Sequence, residues 1–403
     1  MAADSAVTVS NGNGIKIYNT ATKIFRLSVE HPIGVMIYND ASFMGTPWEV
    51  IFKLFRKEQG STARQTVKEY VEGFIDFIQS HNYFSNEENE MQYFTSELST
   101  YYYRVMEQVN EKKEDDDEKS IRDMLLTAMN EIKQECREEG VCDSLSKYTA
   151  AEISSYGKQV FKDLTDLCEA NQLPVDMTDQ WIEGFYEYIR SRLFWKGTGL
   201  VFVGFGEKDI YPTLYPVYIS GFFDRHFRYF HDEDNCEVIS NHNSACVCPF
   251  GQKDVMITMM KGVAPSIYNL TIYQLRESIM QERMKTIDCL EKNGVPQKVI
   301  EQIANMDISD IENEFDEKIT TFINEEYVNG IVDAVESFNI EDMTNMAESL
   351  VSMTNLQRHI SSSEESVGGP IDVAVITRSE GFIWIKHKQW FSQQLNPQTR
   401  LLE

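Results

Sequence analysis

The chain has 403 residues, 42% of them apolar and 12% aromatic, enough to bury a large core in one domain or in two to three smaller ones. Its formal net charge of −27 excludes a nucleic-acid surface, which needs clustered Lys and Arg, and it excludes an anionic membrane surface. Seven widely spread cysteines and no signal peptide fit a reducing compartment, and no apolar run reaches the ~18 residues that span a bilayer, so the cytoplasm is the expected location.

Strand patterns come first. Val7 and Val9 alternate ahead of the turn cluster Ser10-Asn11-Gly12-Asn13-Gly14. Residues 15–18 and then 23–27 follow as half-buried strands, and 32–38 is nearly continuously apolar, the pattern of a strand buried on both faces. Helix then takes over. Thr46 is expected to cap it and Pro47 to take the first helical position, ahead of a stripe of Trp48, Ile51, Phe52, Leu54 and Phe55. A second amphipathic helix is expected near 62–80, and residues 85–192 read as charged, helical and poor in proline. The charge run from Glu111 to Lys119 reads as a solvated hinge or helix face.

Strands return at 200–206 and 214–221, with a third expected at 244–248. Residues 252–358 read as mostly helical and acidic, broken at Asn293-Gly294-Val295-Pro296, and the chain closes on a hairpin of 371–377 and 382–385. Strands clustered between helix blocks favour an α+β fold over a strictly alternating parallel sheet.

Few residues carry an obvious chemistry. Cys246 and Cys248 form a C-x-C on the expected strand, without the second pair or spaced histidines that a metal site needs, so buried thiols are expected. His226, His231, Asp232, Asp234 and His242 fall in one loop region, again without ligand spacing, and no metal or cofactor is expected. Gly204-Phe205-Gly206 reads as the turn ending a strand and not as a phosphate loop. The methionines Met256, Met259, Met260, Met343, Met346 and Met353 read as core packing.

Three segments carry a resemblance. Ala2-Ala3-Asp4-Ser5-Ala6-Val7-Thr8, with Lys23-Ile24-Phe25-Arg26-Leu27 and Gly34-Val35-Met36, resembles the start of proteasome-type subunits of the N-terminal-nucleophile (Ntn) hydrolase superfamily. Residues 200–206 with 213–221 resemble that family's middle hairpin. Residues 346–356, Val367-Gly368-Gly369-Pro370-Ile371-Asp372-Val373 and 380–384 resemble its final helix, glycine turn and terminal hairpin. The resemblance spans about half the chain. It implies a four-layer αββα sandwich, two antiparallel sheets between helices. On that frame residues 1–84 form the first half, 193–264 the second half and 341–403 the final helix and hairpin, while 85–192 and 265–340 are helical insertions.

The resemblance also implies a threonine-type hydrolase of peptide or amide bonds, with peptide or protein substrates and a homo-oligomeric assembly. In active members an N-terminal hydroxyl attacks, and the α-amine takes its proton because a terminal amine titrates near neutrality. Asp4 and Lys23 fall on the family's supporting aspartate and lysine, the backbone of Tyr38 or Asn39 on its oxyanion donor, and Glu364 and Ser366 (or Val367) on the residues before the glycine turn. The departure is at the nucleophile. Met1, Ala2 and Ala3 precede Asp4, and none carries a hydroxyl or thiol. Two expectations follow: a hydrolase whose nucleophile lies upstream of Met1, or a non-catalytic scaffold or binding subunit.

Overall fold

The computed structural model describes residues 1–11, 14–81, 84–115, 120–360 and 368–388. The chain opens with β1 (Ala2–Ala3), a hairpin of β2 (Val7–Asn11) and β3 (Gly14–Tyr18), then β4 (Ile24–Arg26) and β5 (Ile33–Asn39). A small hairpin, β6 (Ser42–Phe43) and β7 (Thr46–Pro47), precedes α1 (Trp48–Gln59). Here the expected cap is corrected. Met44 and Gly45 both have positive φ, 47° and 83°, as a two-residue hairpin turn favours, so Thr46 pairs with Phe43 and caps nothing. Pro47 stands just before the first turn, and the Trp48 N–H donates to Ala41 O at 3.1 Å instead. In α2 (Val67–Ser80) the cap is local: the Glu69 N–H donates to Thr66 Oγ1 at 3.2 Å.

The next helices are α3 (Glu87–Asp115), α4 (Ile121–Glu139), α5 (Ala150–Tyr156), α6 (Lys158–Ala170) and α7 (Thr178–Arg190). They bury a core of their own around Phe94, Tyr101, Trp181, Phe185 and Tyr188. The charge run starts on α3, and its residues 116–119 lie outside the described residues. The strands β8 (Thr198–Gly204), β9 (Thr213–Phe223), β10 (His226–His231) and β11 (Glu237–Val238) follow. Residues 244–248, expected as a strand, are not one; the third strand is β10. Arg228 breaks the apolar pattern of β10, and it is tolerated because it is ion-paired to Glu97 of α3 at 2.9 Å with both side chains buried.

Helices α8 (Asp254–Lys261), α9 (Pro265–Lys292), α10 (Gln297–Ala304), α11 (Ser309–Ile323), α12 (Asn329–Ser337) and α13 (Ile340–Ile360) lead to the closing hairpin, β12 (Asp372–Thr377) and β13 (Gly381–Lys386). The long α9 has no buried residue, so it draws little stability from packing.

The fold is mixed α+β with antiparallel sheets. The larger sheet has the order β10-β9-β8-β5-β4, with β11 on β9, and the smaller the order β1-β12-β13. Helices α1 and α2 cover the larger sheet through Trp48, Phe52, Phe55, Phe74 and Ile78, each contributing about 1.5–3 kcal/mol by burial. The two sheets meet through Ile24, Ala374 and Phe382, with Met36 and Ile376 beside them. Gly34 makes this approach possible: a Cβ there would lie 2.9 Å from the Phe382 ring. Helix α13 packs on β1 and β12 of the smaller sheet.

Candidate active site

The two ends of the described chain meet at Asp4. It follows β1, and its Oδ1 accepts from Lys23 Nζ at 2.6 Å. Lys23 sits one residue ahead of β4, where its carbonyl accepts from the Ile37 N–H of β5 at 2.8 Å, so the backbone holds its position. The other carboxylate oxygen of Asp4 accepts from the Ala6 and Gly368 N–H groups, both at 3.0 Å. Side-chain exposures of 17% for Lys23 and 12% for Asp4 separate this ion pair from the solvated pairs that contribute little.

Neighbouring bonds tighten the junction. The Ser5 N–H donates to Gly368 O at 3.1 Å, and Ser5 Oγ donates to Pro370 O at 2.6 Å. Gly369 has a φ of +76° and lies against Asn19, where a Cβ would come within 2.9 Å of both Asn19 Cβ and O. Both the backbone angle and the space therefore demand glycine. The opening stretch, with Asp4 and Lys23, and residues 368–370 from near the other end of the described chain are joined at one carboxylate.

The α-amine of Met1 donates to Ala374 O at 2.9 Å, and its burial lowers its pKa to about 6.

The backbone groups of Tyr38 and Asn39 differ. Successive N–H groups of a strand alternate sides, and that of Ile37 faces Lys23. The Tyr38 N–H therefore faces β8, where Tyr38 pairs with Gly199. That of Asn39 faces the β4 side, one step beyond Lys23, on a residue with φ of 69°. Glu364 and Ser366 lie outside the described residues, as does Val367.

Sequence reasoning missed the cavity beside this junction. It has a volume of about 450 Å³ and lies between the β4 segment, α1 and the end of β13. Thr22, Ile24 and Pro370 connect it to the ion pair, and Phe52, Arg56 and Trp384 form much of the remaining wall. Its cations hold partners already: Lys53 pairs with Glu49 at 2.6 Å, and Lys388 pairs with Asp372. The lining comes from four separate segments, and no one of them signals a cavity by itself.

The other candidates are dispersed. His226 and His231 lie at opposite ends of β10, and His242 lies in a separate turn. Among the described residues no three His, Cys, Asp or Glu side chains cluster as a metal site would require. No helix among them is long and apolar enough to cross a membrane. Comparison with protein-family models, with curated proteins and with solved structures finds no match to this chain.

Proposed function

We propose that this chain is a proteasome-like member of the Ntn-hydrolase superfamily, working in the cytoplasm as an oligomer and directed at peptide or amide bonds. One observation carries the reading: the Asp4 carboxylate joins Lys23 to the Gly368-Gly369 turn, uniting the opening and closing segments of the resemblance at a single site. The stacking order supports it too. Helices α1 and α2, the larger sheet, the smaller sheet and α13 contact one another in the sequence an αββα sandwich requires.

In this reading Lys23 supplies positive potential beside an N-terminal hydroxyl or thiol, and Asp4 fixes the ammonium. A cation there lowers the pKa of a neighbouring amine, keeping it free to take the nucleophile's proton. The Asn39 N–H, on the Lys23 side of β5, is the oxyanion donor. The nucleophile itself belongs upstream of Asp4, where residues 1–3 offer none. The adjoining cavity, walled by aromatic rings, takes an apolar or aromatic substrate side chain.

A second reading rests on residues 1–3, none of which sets a hydroxyl or thiol beside the Asp4–Lys23 pair. It makes the chain a scaffold or binding subunit that keeps the sandwich without the chemistry. Fluorogenic peptides with apolar, acidic and basic residues at the cleaved bond, assayed on the protein purified from its native source, test both readings alongside native mass spectrometry. Hydrolysis lost in Lys23→Ala supports the hydrolase. A defined oligomer without hydrolysis supports the scaffold, and an inert monomer overturns both.

A further inference from the structure

Cys246 and Cys248 take no part in the centre at Asp4. They lie in the non-strand segment after β11, whose near end is tied down by Asn243 Nδ2 donating to Glu237 Oε2 at 3.0 Å. Its far end is held by Phe250, packed on Tyr38 of β5 with ring centroids 5.8 Å apart. Between these anchors the Cys248 thiol donates to the Cys246 sulfur at 3.5 Å. An extended strand would hold the two Cα atoms about 6.8 Å apart, the far limit of what a disulfide spans.

The other five cysteines have no such arrangement. Cys136, Cys142 and Cys168 are buried, Cys236 is half-buried, and Cys289 is exposed. Two sulfurs without a third ligand among the described residues do not complete a tetrahedral metal site. Two half-buried thiols already in contact are suited to a different chemistry.

We propose that Cys246 and Cys248 form a thiol–disulfide exchange site, whose substrate is a small-molecule disulfide and whose product is the internal Cys246–Cys248 disulfide. The Cys246 thiolate attacks one sulfur of the substrate, RS–SR. That S–S bond breaks, and the first RS⁻ leaves with the electron pair and is protonated by water. Cys248 then loses its proton to water and attacks the Cys246 sulfur of the mixed disulfide, expelling the second RS⁻, which is protonated in turn. Two protein thiols are oxidised by two electrons, and one disulfide is reduced to two thiols. The order of attack follows from the contact: with Cys248 as the donor, the S–H···S bond stabilises a thiolate on Cys246 and opposes one on Cys248. The small ring of a C-x-C disulfide makes it readily reducible, so the site is reversible.

The test uses the full chain in buffers of stepped oxidised-to-reduced glutathione ratio, quenched with acid and alkylated. Cleavage after lysine and glutamate isolates Val238–Lys253, which contains these two cysteines and no other. In the wild type this peptide should lose two hydrogen masses and escape alkylation at ratios where Cys136, Cys142, Cys168 and Cys236 are still alkylated. Cys248→Ser should trap a stable glutathione adduct on Cys246, and Cys246→Ser should form its adduct at least tenfold more slowly. The wild-type map decides the pairing without relying on either variant. Both cysteines still alkylated after Cys289 has become an adduct, or an adduct persisting on the wild-type pair, overturns the proposal. Equal trapping rates in the two variants overturn the order of attack.

Discussion

Replacing either member of the Asp4–Lys23 pair should have unequal consequences, and the inequality can be worked out from the bonds. Asp4→Ala removes an acceptor shared by three donors: Lys23 Nζ at 2.6 Å and the Ala6 and Gly368 N–H groups at 3.0 Å. Ala6 and Gly368 are buried, and a buried donor left without a partner costs about 1–3 kcal/mol. With a partly screened ion pair added, the total is about 3–5 kcal/mol. Lys23→Met keeps most of the aliphatic stem and leaves the Asp4 carboxylate with two backbone donors, so about 1–2 kcal/mol is lost. The assay is urea denaturation followed by tryptophan fluorescence for the wild type, both single variants and the double variant. The cycle isolates the pair's own coupling. A Lys23→Met variant as destabilised as Asp4→Ala would falsify the account, because the carboxylate would then depend on the lysine and not on the glycine turn.

Arg228→Met should destabilise the protein by about 3–5 kcal/mol, because the buried Glu97 carboxylate loses its counter-ion, keeping only the Tyr188 hydroxyl as a donor, and the Leu193 carbonyl loses its Arg228 donor, read as a lower urea midpoint by circular dichroism; a loss under about 1 kcal/mol refutes this. Gly206→Ala should cost about 1–3 kcal/mol, since the new Cβ would lie 2.3 Å from Gln65 O and 2.4 Å from Thr66 Cα, both backbone atoms. Gly330→Ala, with nothing within 4 Å, should raise the thermal midpoint slightly, and equal midpoints for the two variants would contradict the packing. At Asp372 burial opposes ionisation, yet hydrogen bonds from His387 and Lys388 outweigh it and hold the carboxyl below the usual aspartate range. Its contribution to stability is complete above the unfolded value of 3.8 and is lost as pH falls through the lower folded value. Thermal midpoints taken between about pH 5 and pH 2 should therefore fall more steeply in the wild type than in Asp372→Asn, and parallel curves refute the linkage.

Where local pattern and packing agree, the sequence was readable. The near-continuous apolar run at 32–38 is a central strand, Ile33–Asn39, flanked by β4 and β8. The closing hairpin and the stripe of α1 were legible for the same reason. Local reasoning failed where a distant partner overrides the pattern. Arg228 reads as a solvent residue until Glu97, 131 positions earlier, neutralises it, so β10 was missed. Thr46 reads as a cap until the Met44-Gly45 turn commits it to a hairpin. At the candidate site Asp4 and Lys23 were visible by resemblance, and their contact distance was not. Ser5 and Pro370 were visible only as members of resembling motifs, without a role, and Asn19 gave no signal, because their part is to supply backbone and small polar contacts at a junction of the two ends of the chain. The cavity was illegible for a related reason: its wall is shared among segments that no sequence window contains together.

Pairing the first strand with one near the end of the chain has a consequence for how the molecule is made. Ala2 and Ala3 pair with Val373 and Asp372, and the Met1 amine reaches a carbonyl 373 residues away. Such contacts are slow to form, since closing so long a loop carries an entropy cost before the contact is gained. During synthesis the larger sheet and the block α3–α7 can close while the last strands are still being added. Strand β1 must wait, and the Gly368 donor that fixes Asp4 arrives with the same late segment. The ion pair is thus set in its final geometry only once the fold is nearly complete, so the candidate centre is assembled last.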